Sequence, residues 1–176
     1  MKNFAILFLS LMVVFAFGLG SNAINENKKW LYTKQLTTYV PPNHNRTVMM
    51  KHAFAEWTRL TGGKFVFKYV SSPNVAKIQV YFVDKIPDAD REIGLTKYRY
   101  ASGKMTHAQI FIADKTSNGK VLGKDSVYTV MLHEIGHAMG ISEHSKNPLS
   151  IMYPYEDDKQ EILKSDLNTL AEIYGW

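Results

Sequence analysis

Cysteine is absent from the 176 residues of this chain. That excludes a disulfide scaffold, a thiolate metal site, a cysteine nucleophile and a lipid-modified N-terminal cysteine, so any metal must sit on imidazole or carboxylate. Proline and glycine are sparse, at 6 and 11 residues, beside an aromatic share of 12%, which excludes a collagen-like or disordered chain. No basic run exceeds Lys28-Lys29. The net charge of +5 therefore reads as a solvated basic surface, with no nucleic-acid partner expected. No repeat, low-complexity tract or linker divides Asn25 to Trp176, and a chain of this length supports one well-cored domain.

The one long apolar run is Phe4 to Gly18, preceded by Lys2 and followed by Gly20-Ser21-Asn22-Ala23. A basic start, an apolar stretch and small residues before Ala23 predict a secretory signal peptide over 1–23, with the functional domain over 24–176. An uncleaved membrane anchor is the competing reading, although the run is shorter than a full span. Cleavage implies a secreted, extracellular protein without membrane association, the periplasm or cell surface being alternative destinations. A chain without cysteine has nothing to mispair in an oxidising compartment.

Trp30 to Val40 mixes aromatic and β-branched residues and stops at Pro41-Pro42, which predicts a first strand. Met50, Ala53, Phe54, Trp57 and Leu60 recur at helical spacing over Thr47 to Leu60, and Gly62-Gly63 supplies the stop. Phe65, Phe67 and Tyr69 alternate in a second strand; Ile78, Val80 and Phe82 do so in a third. Leu95 to Tyr100 and Met105 to Ile112 form two more, joined through Ser102-Gly103. A second helix runs from a cap at Asp125 or Ser126 to Met139, and a last one from about Ser165 to Tyr174. This order predicts an α+β domain with a twisted sheet packed against helices.

The chemistry is concentrated in His133-Glu134-Ile135-Gly136-His137-Ala138-Met139-Gly140-Ile141-Ser142-Glu143-His144. Positions i and i+4 share a helix face, so His133 and His137 can present imidazoles to one ion, with Glu134 one step round and within reach of a water. Gly140 can turn the chain in the left-handed conformation and bring His144 back as a third ligand. Three neutral nitrogens and one open position is the catalytic zinc arrangement, as distinct from a closed structural site.

This motif, with the downstream turn Ser150-Ile151-Met152-Tyr153-Pro154, resembles the metzincin metallopeptidases. Ser145 after the third histidine, and Met152-Tyr153-Pro154, are similar to the matrixin branch, the matrix-metalloproteinase relatives. Leu36-Thr37-Thr38-Tyr39-Val40, Ala53-Phe54-Ala55-Glu56-Trp57 and Ile173-Tyr174-Gly175 extend the likeness across the chain. The resemblance implies a single matrixin-like domain with a twisted, mostly parallel five-stranded sheet, an active-site helix, a backing helix and a C-terminal helix.

The resemblance also implies a monomeric zinc endopeptidase hydrolysing internal bonds of polypeptides, extracellular-matrix proteins included, bound in extended form along the edge strand near Leu95 to Tyr100. It makes Glu134 the catalytic base, His133, His137 and His144 the ligands of one zinc ion, and Met152 the packing beneath them. It places Leu95, Thr96, Pro154 and Tyr155 around the substrate pocket. Glu156 stands where matrixins usually carry tyrosine, which alters the pocket wall. No cysteine can cap the zinc, and only a short arm separates Ala23 from Trp30, so the family's cysteine-based latency is not expected. Asp88, Asp90 and Glu92 could hold calcium or form a solvated acidic loop. His107, His44 and His52 read as ordinary polar residues without a second zinc. Two other classes remain open: an inactive zinc-binding module that recognises extended peptides, and a zinc hydrolase acting on a non-peptide bond.

Overall fold

The computed structural model describes residues 29–86 and 92–176; the predicted signal peptide, Asp88 and Asp90 lie outside them. The elements are β1 (Lys29–Trp30), β2 (Lys34–Tyr39), α1 (Thr47–Leu60), β3 (Val66–Tyr69), β4 (Ile78–Val83), β5 (Gly94–Ala101), β6 (Lys104–Ala113), α2 (Lys124–Met139) and α3 (Lys164–Tyr174), with one 3₁₀ turn at Pro73–Val75. The sheet runs β3-β2-β4-β6. β1 shares the β4 side of β6, and β5 takes the other side. Only the β5–β6 pair is antiparallel. β5 pairs with β6 alone among the described strands, so its outer edge is open. No described helix is long and apolar enough to cross a membrane.

The sheet has six strands where five were expected, because the predicted strand Trp30 to Val40 is broken. Leu31 and Tyr32 turn outward, 63% and 72% exposed, and the chain leaves the β6 edge to re-enter between β3 and β4. Gln35 has φ +132° at the register shift between Lys34 and Leu36, a bulge that its side-chain type does not announce. Phe65, just before β3, and Phe67 within it pack inward to differing degrees while Tyr69 is exposed, as suits an edge strand.

Along β4 and β6 the period of two is clean. Ile78, Val80, Ala108, Ile110 and Ile112 are buried, while Gln79, Tyr81, Gln109 and Phe111 take the intervening positions, half-buried. α1 packs on β3 through Phe54, whose ring lies 4.6 Å from that of Phe67, and Phe54 and Trp57 are both fully buried. Trp57 Nε1 donates to the Leu132 carbonyl of α2 at 2.9 Å, and Trp30 Nε1 donates to Ala138 O at 2.7 Å. α2 is buried on every side from Thr129 to Met139, the character of a core helix rather than a surface one. Its N-cap position falls on Gly123, two residues ahead of Asp125 and three ahead of Ser126, the expected caps. Asp125 instead lies in the first turn, where its charge suits the helix dipole.

Candidate metal centre

α2 delivers His133, Glu134 and His137, and its termination delivers the rest. Gly140 sits at φ +117°, in the left-handed region that L side chains rarely adopt, and its N–H and that of Ile141 close back on His137 O and Gly136 O. The reversal turns the Ile141 carbonyl onto His137 Nδ1 at 2.6 Å. His133 Nδ1 meets the Ile151 carbonyl at 2.7 Å. The next turn brings His144 into place, its Nε2 3.3 Å from that of His137.

Carbonyl oxygens only accept, so the Nδ1 atoms of His133 and His137 carry the ring protons. In neutral rings both Nε2 atoms are then lone pairs, and they face each other at 3.0 Å. Burial holds the rings neutral: it pushes His133 well below the usual histidine value, His137 to about 3, and His144 down as well. Two buried lone pairs at that distance repel, and a cation between them removes the repulsion. Ligand atoms of His133, His137 and His144 all lie within 4.8 Å of one another, the one such trio of His or carboxylate groups among the described residues. The donor set therefore fits zinc, which takes neutral imidazole whose other nitrogen is anchored by a carbonyl.

Met152 is buried, its Sδ packed against Gly136 of α2. Its turn is braced by Ser150, whose Oγ accepts from Met152 N at 3.0 Å and donates to Asp166 Oδ1 at 2.6 Å. Asp166 Oδ2 in turn accepts from Leu163 N at the start of α3. Met152 O receives the N–H of Ser145, tying this turn to the segment that carries His144.

Glu134 lies about 100° round α2 from His133, facing β5. It is 2% exposed, and burial raises its carboxyl to about 8 against the opposing Thr96 hydrogen bond. Thr96 Oγ1 donates to Glu134 Oε2 at 2.6 Å.

Of the residues expected around the substrate pocket, Thr96 is fully buried beneath Glu134, and the Leu95 side chain is buried too. Both belong to β5, whose alternation sends one to each face. Pro154 is half-buried and Tyr155 39% exposed, after the Met152 turn, with the Tyr153 and Tyr155 rings 5.7 Å apart. A cavity of about 300 Å³ beside α2, bordered by Tyr128, Thr129 and Gln160, contains none of these four residues. Glu156 is half-buried, and burial raises its carboxyl. His44 stacks on Phe82 at 4.2 Å, His52 is exposed, and His107 is exposed opposite Arg99.

Two glycines escaped notice as site residues. A Cβ on Gly136 would stand 2.5 Å from Met152 Sδ, and one on Gly94 2.5 Å from Glu134 Oε1. Gly136 was visible within the motif, but the need for it comes from a methionine 16 positions on.

The fold is that of a metzincin. An archaemetzincin from Methanopyrus kandleri superposes with a TM-score of 0.51 at 10% identity, covering 88% of this chain and 99% of that one. The sequence profile of the matrixin family matches residues 25–175. The chain belongs to the matrixin family. It is similar to a probable matrix metalloproteinase of Invertebrate iridescent virus 3, 30% identical over 73% of this chain and 37% of the relative. Karilysin of Tannerella forsythia is 28% identical over 89% of this chain and 35% of its own. The macrophage metalloelastase of Rattus norvegicus is 23% identical over 87% and 35%. The chain spans just over a third of the length of these relatives.

Proposed function

We propose that this domain is an exported zinc endopeptidase that cleaves internal bonds of polypeptides. The observation that carries the reading is the pair of imidazole lone pairs facing each other at 3.0 Å with a buried carboxylate on the same helix. A zinc ion held by His133, His137 and His144 would supply Lewis acidity, lowering the pKa of a water towards neutrality and polarising a carbonyl. Glu134 takes one proton from the attacking water and returns it to the departing amine, so water and peptide become a carboxylate and an amine.

The open edge of β5 supports binding of substrate as an added strand, where main-chain hydrogen bonds give affinity and alternate side chains give selectivity. Pro154 and Tyr155, together with the backbone at Leu95, flank that path. Met152 packs the floor. The names of the relatives suggest extracellular-matrix polypeptides as the substrate class, and the apolar run before Ala23 suggests secretion by a cleaved signal peptide.

A quenched peptide series incubated with the zinc-loaded protein, with and without chelator, tests the reading. Cleavage within the peptides that stops on chelation and returns with zinc is the expected result. Zinc binding without cleavage would leave a peptide-recognition module, and cleavage confined to ester substrates would leave a hydrolase of another bond.

A further inference from the structure

β5 lies against both carboxylate oxygens of Glu134 and bonds one of them. On one side Thr96 Oγ1 donates to Oε2 at 2.6 Å, with Thr96 fully buried. On the other, Oε1 lies over Gly94, where a Cβ would come within 2.5 Å of Oε1, 2.8 Å of Glu134 Cγ and 2.7 Å of Val130 Cγ1. A threonine hydroxyl has one proton to give, and its acceptors here are Oε2 and, at 3.1 Å, the Glu134 carbonyl. That carbonyl lies inside α2 and serves the helix ladder, so the shorter contact, to Oε2, takes the proton.

We propose that Thr96 is a positioning residue for Glu134: it occupies Oε2 and leaves Oε1 as the oxygen that exchanges the water proton, in space that only a glycine at 94 provides. The inference rests on Glu134 being the general base. A carboxylate with two equivalent free oxygens would rotate about its last bond. One held oxygen fixes the plane and therefore the direction from which the proton is taken, and small misplacements of such groups are costly in rate. Threonine is also a good strand former, so a purely structural role in tying β5 to α2 has to be separated from positioning.

Thr96→Val keeps the shape and removes the donor; Thr96→Ser keeps the donor and removes a methyl. With zinc-loaded full chain, T96V should lower kcat by about tenfold or more while KM and zinc content hold, and T96S should stay within about threefold of the wild type. A second measurement does not depend on activity. In metal-free protein, the shift in urea midpoint caused by T96V should differ between the Glu134 and Glu134→Ala backgrounds, because the partner is gone in the latter. Unchanged kcat in T96V, an equal loss in T96S, or identical midpoint shifts in both backgrounds would overturn the proposal. A wild type that cleaves no peptide would remove the general-base reading and this role with it, whereas unequal midpoint shifts would still register the contact itself.

Discussion

Met152 Sδ occupies the space a side chain on Gly136 would need, 2.5 Å from where its Cβ would stand, with Trp57 Cζ2 at 3.2 Å behind it. The helix that carries the ligands and the turn beneath them are therefore packed backbone to sulfur. Gly136→Ala gains up to about 1 kcal/mol of helix propensity and loses about 1–3 kcal/mol to overpacking, because Trp57 blocks the retreat. The expected outcome is a net loss of about 1 kcal/mol in urea unfolding of the metal-free protein, with weaker zinc retention. In a double-mutant cycle, Gly136→Ala should cost less in the Met152→Ala background than in the wild type, because the sulfur it meets is gone.

Gly140 makes a different demand. Its φ of +117° is closed to alanine, and the reversal it permits sets the Ile141 carbonyl on His137 Nδ1. Gly140→Ala should cost about 1–3 kcal/mol through backbone strain. Losing the carbonyl anchor should weaken zinc binding by about 10- to 100-fold, the usual effect of removing a ligand's supporting partner. Competition against a chromogenic chelator measures it; unchanged affinity would show that the anchor does not orient the ring.

Much of this architecture is legible from residues alone, and the exceptions share a cause. α1 declares itself through the spacing of Met50, Phe54 and Trp57, and its observed bounds are Thr47–Leu60 as read. Gly140 and the three histidines are local features at fixed spacing, so the turn could be foreseen. The break between β1 and β2 could not, since no glycine or proline marks it and the bulge at Gln35 is imposed by pairing with β3. Thr96 looked like a residue on a strand lining a pocket. Its bond to Glu134 joins positions 38 apart in sequence, and nothing local to either residue encodes that meeting. The same holds for Ser150 and Asp166.

Asp166 should give the fold a pH-dependent component. Burial raises its carboxyl above 3.8, against the hydrogen bonds from Ser150 and Leu163. A raised value in the folded state means that its contribution is full below the unfolded pKa and is lost as pH rises through the folded one. Asp166→Asn offers one acceptor oxygen where two donors wait, so it should destabilise by about 1–3 kcal/mol. That penalty should shrink between pH 4 and pH 7 in urea titrations of the metal-free protein. A penalty that grew over that interval would reverse the sign of the shift.

His144 is the ligand supplied by the chain reversal and is the most exposed of the three, being half-buried where His133 and His137 are fully buried. Its replacement by alanine should leave the fold intact and weaken zinc retention on dialysis, measured by metal analysis. Full occupancy at unchanged affinity would remove His144 from the ligand set.

Glu134→Gln in otherwise unchanged, zinc-loaded protein tests the central claim most directly. The amide keeps the size of the side chain and an acceptor for Thr96 but cannot take a proton. Zinc content and unfolding midpoint should stay close to the wild type while kcat on a quenched peptide falls by roughly 10²–10⁴. Peptide cleavage by Glu134→Gln at the wild-type rate, with zinc bound, would contradict the account.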